Sequence, residues 1–332
     1  MPLFLREDDV RGLLTMEDAL EAVEEAFRLH GLGEADNRPR QRPRLPEAML
    51  HVLAAGVPGA GLGLKAYTVG SGGVRFVVLL WDAQTGDLEA LIEAGHMGQM
   101  RTGAASGVAT KYLARPDARS VGILGTGTQA PAQLEAVCAV RPLDKILAYS
   151  PTPHHRRRFA AEMTERLGLT VEPVDAARDA VVDADIVITI TKASTPVLHG
   201  DWLRPGAHVN AVGSNRSRAQ EIDARTLERA ALVTIDDLDQ GRIEAGDLLA
   251  AERENVLSWD EVVELGHIVV GPHWGPPTMV GRHHPGRRDP ESITVFESLG
   301  VAMQDIAVAR IVYDKALDTG LGDPMPDTML GK

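Results

Sequence analysis

Hydrophobic and polar positions follow two different rhythms along this chain, and the rhythm changes near residue 115. In the first third, the segments 49–53, 63–69, 75–82 and 88–94 are rich in Val, Leu and Ala and are separated by short turns, among them Ala83-Gln84-Thr85-Gly86-Asp87. Strands in such close succession predict an antiparallel sheet. Ahead of them, Leu20, Val23, Ala26 and Phe27 fall at helical spacing behind Thr15 and Asp18. This predicts a helix capped by Thr15 that fades at Gly31-Leu32-Gly33. Residues 37–46 crowd Arg38, Arg40, Arg42 and Arg44 among Pro39, Pro43 and Pro46, which excludes helix and predicts an extended or looped segment. Residues 101–113 (Ala104, Ala105, Ser106, Gly107, Ala109) predict a closely packed helix.

From Ser120 onward short apolar runs alternate with helical ones. Strands are expected at 121–124, 145–149, 185–189, 207–212, 232–235 and 293–296, with a helix over 156–167. A last helix follows, with Val301, Ile306, Val308 and Ile311 apolar. Alternation of this kind predicts a parallel sheet. Residues 272–290, rich in Gly, Pro and His, read as a loop. The expected fold class is α/β: a Rossmann domain over 115–300, and an α+β domain from 1–114 with which the last helix, 301–332, is grouped.

Composition narrows the function. A chain of 332 residues with 44% hydrophobic residues fits about two domains and fills its core without covalent staples. The formal net charge of −13 speaks against nucleic acid as a partner. The single cysteine, Cys138, forms no internal disulfide and sits in an Ala/Val stretch, where it reads as a small buried hydrophobe rather than a nucleophile. The N-terminus lacks the basic-then-apolar pattern of a signal peptide, and no apolar run approaches the ~20 residues of a membrane span. A cytoplasmic, membrane-free setting is the expectation.

The most informative local pattern is Val121-Gly122-Ile123-Leu124-Gly125-Thr126-Gly127-Thr128-Gln129-Ala130. A glycine at 125 permits a tight turn, a second at 127 lets backbone approach a pyrophosphate, and the small Ala130 lets helix pack on strand. The helix start then offers free N–H groups to phosphates. At the end of the next strand, Ser150-Pro151-Thr152, no acid is present to hold ribose hydroxyls, and Arg156, Arg157 and Arg158 follow. That favours NADP, with NAD as the alternative. Cofactor contacts are expected from Gly125, Thr126, Gly127, Thr128, Gln129, Ser150, Thr152 and Arg156, and further from Thr191, Lys192, Val212, Gly213, Leu299 and Gly300.

Several motifs make the chain resemble the ornithine cyclodeaminase/mu-crystallin family over nearly its whole length. They are Gly63-Leu64-Lys65, Arg101-Thr102-Gly103-Ala104-Ala105-Ser106, the glycine turn, 184–189, Pro205-Gly206-Ala207-His208-Val209-Asn210-Ala211-Val212-Gly213 and 293–300. The resemblance implies a substrate-binding and dimerisation domain from the N-terminal portion plus the last helix, and a homodimer joined through the N-terminal sheets. It implies a small imino- or amino-acid substrate whose carboxylate is bound by Arg42, Lys65 and Arg101, with Arg40 and Arg44 as competitors for the Arg42 role. Arginine grips a carboxylate in two places, and a lysine in an apolar strand is costly unless an anion pairs with it. Asp305 matches an acid common in the family and reads as structural.

At one position the chain departs from the cyclodeaminases and alanine dehydrogenases of the family. Asn215 stands where they carry an Asp thought to act as base, and an amide accepts no proton at neutral pH. The pattern therefore favours NAD(P)H-dependent reduction of an imino acid, or the reverse amino-acid dehydrogenation, with Lys65 and Asn215 as the candidate catalytic residues. Lys65, water, Asp236 or Asp237 are the candidate proton sources. A cyclodeaminase with tightly held NAD and a non-catalytic nucleotide- and carboxylate-binding protein are the alternatives. No metal is expected, because His273, His283 and His284 with Asp289 fit no zinc spacing.

Overall fold

The computed structural model describes residues 1–70, 73–271 and 286–326. His273, His283, His284 and most of the 272–290 loop lie outside the described residues. In chain order the elements begin with β1 Leu3–Leu5, α1 Glu7–Leu13, α2 Met16–Gly31, β2 Asp36–Asn37, β3 Ala48–Val57, β4 Gly61–Gly70, β5 Gly73–Trp81, β6 Leu88–Glu93 and α3 Gly95–Leu113. They continue with β7 Ser120–Leu124, α4 Ala130–Val140, β8 Lys145–Tyr149, α5 Pro153–Leu167, β9 Val171–Pro173, α6 Ala177–Val181, β10 Ile186–Thr189 and β11 His208–Ala211. Last come α7 Ala224–Arg229, β12 Ala230–Ile235, α8 Leu238–Glu244, α9 Gly246–Arg253, β13 Val262–Glu264, α10 Leu265–Val270, β14 Ile293–Glu297, α11 Ala302–Thr319 and β15 Asp323–Pro324. Two compact units result, Met1–Thr102 with Val301–Lys332, and Gly103–Gly300. The division falls within α3, whereas the change of sequence rhythm follows that helix.

The first unit carries a seven-stranded sheet in the order β15-β1-β6-β5-β4-β3-β2. The hairpins β3–β4, β4–β5 and β5–β6 are antiparallel, and β1 joins β6 in parallel. Side chains alternate across it as a strand requires. Leu53, Lys65, Val78, Leu80, Ala90 and Ile92 point inward and are buried, where α11 packs over β3, β4 and β5 and also against α2. Thr15 caps α2 as its sequence predicts, accepting the Asp18 N–H while Asp18 accepts the Thr15 N–H.

The second unit is an eight-stranded, wholly parallel sheet in the order β13-β12-β14-β11-β10-β7-β8-β9. Its strands are buried on both faces (β7, β10, β11 and β14 almost throughout), as a sheet between two helical layers demands. Strand order reverses between β7 and β10, which makes the crevice at their carboxyl ends the topological switch point where such folds bind ligands. Among the described residues no helix is long and apolar enough to cross a membrane.

Candidate active site

In the first unit, the pleat that turns Leu53 and Val78 into the core also turns Lys65 inward, leaving it 2% exposed. A buried ammonium survives only with a counterion. Asp305 on α11 supplies it: Lys65 Nζ donates to Asp305 Oδ1 at 2.8 Å, and Arg101 Nε donates to the same oxygen at 3.0 Å. Arg101 is further fixed by Nη1 donating to Gln304 Oε1 at 3.0 Å. The Lys65 ammonium also lies 5.2 Å from the Phe76 ring centroid, within cation–π range. Burial first, then the Arg101 charge, pull the Lys65 pKa down to about 8, against the opposing pull of Asp305.

More positive charge surrounds this group. Arg40 is buried and adds to the field that lowers Lys65. His51, stacked on Tyr67 with ring centroids 4.3 Å apart, is driven to about 4 by burial and by the charges of Arg42 and Arg40. The structure thus groups Arg40 with Lys65 and Arg42 with His51, and it leaves Arg44 exposed. Two buried cations share one carboxylate oxygen, so the Lys65–Asp305–Arg101 group itself has one positive charge in excess. An incoming carboxylate is the ligand it suits. Asp305 is the member that sequence reasoning read as structural; the available signal was an acid in an otherwise apolar helical stretch.

In the second unit, Gly125 follows β7 with φ +114°, a conformation L side chains rarely adopt. A Cβ there would strike the Ile190 carbonyl and lie 3.1 Å from Thr191 Cγ2. The turn therefore brings the end of β7 against the loop after β10, at the switch point. A Cβ on Gly127 would meet nothing within 4 Å, so this stretch of backbone is open to a ligand. Ala130, at the start of α4, is fully buried. Gln129 Oε1 is buried without a hydrogen-bond partner among the described residues. These residues fit a dinucleotide pyrophosphate in the cradle.

Ser150 is buried at the end of β8, and Thr152 is exposed. Arg156 is 5% exposed; it donates to the Ser150 carbonyl at 3.1 Å and pairs with Asp175, so it shapes the end of β8 rather than standing free beside it. Thr191 and Gly213 are brought together by Glu221, which accepts the backbone N–H of each. Lys192 is exposed and Val212 buried. Asn215 is half-buried in a loop closed by the Ser214 hydroxyl donating to the Ala219 carbonyl at 2.8 Å. Leu299 and Gly300 donate their N–H groups to Asp236 Oδ2 at 2.9 and 2.8 Å. Burial pushes the fully buried Asp236 up to about 7, and Asp237 caps α8 by accepting from the Gln240 N–H. Both candidate acids thus hold backbone. The Cys138 thiol is raised to about 11 by burial and by Glu135, which keeps it protonated and poorly nucleophilic at neutral pH.

A parallel sheet with a glycine turn at its switch point defines a Rossmann dinucleotide-binding unit. The family model for the ornithine cyclodeaminase/mu-crystallin family matches residues 1–320. A Δ1-pyrroline-2-carboxylate reductase of Bacillus cereus is 38% identical over 270 residues, 79% of each chain. Among solved structures, the Thermococcus litoralis Δ1-pyrroline-2-carboxylate reductase in complex with NADH and L-proline is 34% identical, with a TM-score of 0.89 over 97% of this chain and 100% of that one. An archaeal alanine dehydrogenase dimer with bound NAD is 32% identical, with a TM-score of 0.88 over 98% of this chain and 99% of that one. The chain belongs to the ornithine cyclodeaminase/mu-crystallin family.

Proposed function

We propose that the protein is an NAD(P)H-dependent reductase of small imino acids, of the ketimine or pyrroline/piperideine-2-carboxylate type, running in reverse as an amino-acid dehydrogenase. The observation that carries this reading is the buried Lys65–Asp305–Arg101 group with its excess of positive charge. The Gly125 turn would hold a nicotinamide nucleotide, which is the hydride source for such a reduction. Arg101 and the neighbouring Arg40 or Arg42 hold the substrate carboxylate. Lys65, with a pKa of about 8, both attracts that carboxylate and delivers the proton that the reduced nitrogen requires. Asn215 contributes no base, which sets ornithine or lysine cyclodeamination behind reduction.

For the nucleotide, the β8 end lacks an acid, and its Ser150 and Thr152 hydroxyls accommodate a 2′-phosphate. NADP is therefore the favoured cofactor in this reading, with NAD the competitor. A homodimer is part of the proposal. The outer face of the first sheet is apolar, with Leu62 51% exposed and Leu64, Ala66, Val77 and Leu79 half-buried around it, and apolar faces of this kind mark interaction surfaces. Leu79→Asp should shift the sedimenting species from dimer to monomer. The single, unreactive cysteine suits a reducing, cytoplasmic setting.

The deciding experiment follows nicotinamide absorbance while Δ1-pyrroline-2-carboxylate or Δ1-piperideine-2-carboxylate is added with NADPH or NADH. Oxidation of either nucleotide is expected. Release of ammonia from ornithine with no net change in nucleotide would replace this reading with cyclodeamination, and nucleotide binding without turnover of any imino or amino acid would replace it with a binding role.

A further inference from the structure

The loops that leave the carboxyl ends of the parallel strands are tied down by buried carboxylates. Glu221, fully buried between β11 and α7, accepts the backbone N–H groups of Thr191 and Gly213 at 2.5 Å each and the Thr189 hydroxyl at 3.0 Å. Thr191 belongs to the loop after β10 and Gly213 to the loop after β11, so one side chain joins two adjacent loops. Asp247 on α9 in turn accepts the N–H groups of Glu221 and Ile222 at 2.8 and 3.0 Å, which fixes the backbone that carries Glu221. A Cβ on Gly213 would fall 2.6 Å from Glu221 Cδ, so only glycine lets the loop approach its acceptor this closely.

Stability alone does not call for this arrangement, because apolar packing holds loops without the desolvation cost of a buried carboxylate. The position of the tether gives the reason. In a Rossmann sheet the end of the second strand, here β8, receives the adenosine ribose, and the pyrophosphate crosses at the glycine turn. The loops after β10 and β11 lie on the other side of that turn, where the nicotinamide half would lie when bound. We propose that Glu221 is a positioning residue for hydride transfer: it fixes the Thr191-Lys192 and Gly213-Ser214-Asn215 segments as one rigid wall for the reactive ring. The inference rests on the imine-reductase reading. It separates ring placement, which Glu221 governs, from nucleotide affinity, which the Gly125 turn governs.

Glu221→Gln keeps the shape and replaces one of the two oxygens that accept from the loops with an amide donor. It is expected to lower kcat for imine reduction by about a hundredfold, the scale of a misplaced reacting atom, while nucleotide Kd moves less than about threefold. The Thr191 and Gly213 amides should exchange hydrogen faster than in the parent enzyme. Asp247→Ala, which frees the backbone that carries Glu221, should give the same split and serves if the glutamine variant does not fold. An unchanged kcat with loosened amides overturns the inference and leaves the reductase reading intact. So does a loss of kcat matched by an equal loss of nucleotide affinity. If the parent enzyme reduces no imine, the reductase reading falls, and amide exchange still decides the tether: both amides should be slow before NADH is added, and new protection on its addition would overturn a preformed wall.

Discussion

In the proposed reaction Lys65 couples stability to catalysis through a single proton. Its ammonium is buried, and burial with the Arg101 charge holds its pKa at about 8, where an exposed lysine stands at 10.5. Between those values the folded protein binds fewer protons than the unfolded chain, so stability climbs as pH rises across the window. Below about pH 8 both states are charged and the full cost of burial is present; above 10.5 both are neutral and it is gone. The window is worth about 3 kcal/mol at about 1.4 kcal/mol per pKa unit. Lys65→Met keeps an unbranched stem and removes the titration. Denaturant unfolding of both proteins from about pH 7 to about pH 10 isolates this group, because every other titration is common to the two. The methionine variant should be the more stable near neutrality, and its advantage should shrink by about 1.4 kcal/mol per pH unit above pH 8. In the proposed reaction the same proton sets the rate, so kcat/KM, which reports the free enzyme, should fall above about pH 8, and the variant should lose most activity together with that alkaline limb. A stability difference that stays constant with pH would refute the reasoning.

Asp305→Asn leaves Lys65 and Arg101 without their shared anion; it should destabilise by about 3–5 kcal/mol and move the alkaline limb below its parent position, read in a pH–rate profile. Gly125→Ala places a Cβ against the Ile190 carbonyl at a φ of +114°; nucleotide affinity, measured by quenching of protein fluorescence, should fall by about five- to 150-fold for a strain of about 1–3 kcal/mol. Arg156→Ala should weaken NADH and NADPH alike, because the guanidinium supports the Ser150 carbonyl and Asp175; a loss confined to NADPH would assign Arg156 to the 2′-phosphate instead.

What could be read in advance depended on whether a feature is local. The strands β3 to β6 and the parallel strands β7, β8, β10, β11, β12 and β14 announce themselves as apolar runs, and the capped start of α2 as Thr15 with Asp18. β1, β9 and β13 have only three residues each, too few to display a period of two, and pairing alone makes them strands. Lys65 stood out because a lone cation interrupts an apolar strand. Asp305 interrupts an apolar helical stretch in the same way, but nothing local pairs it with Lys65: it lies 240 residues further along the chain, and only the packing of α11 over β4 makes the two partners. Arg40 and Arg42 share a parity, so alternation could not rank them; in the folded segment Arg40 is buried and Arg42 half-buried. Glu221 sits in a loop, where no periodicity distinguishes an inward carboxylate from a solvated one.

Chemistry follows from which groups in this fold can hold a proton. The loop that carries Asn215 is closed by Ser214 and tethered at Gly213, yet its amide neither takes nor gives a proton at neutral pH. Cyclodeamination needs an amine deprotonated before hydride leaves and a second amine deprotonated before ring closure. Reduction of a preformed imine needs only hydride and one proton. Lys65 is suited to that single task, because a pKa of about 8 leaves the group charged at neutrality and still able to release its proton. A bound substrate carboxylate would offset the Arg101 and Arg40 charges that hold the pKa down, and so keep Lys65 protonated until the reduced nitrogen takes the proton. In the proposed reaction the buried positive charge that weakens the fold is thus also the charge that recruits an anionic substrate and keeps a proton ready for it.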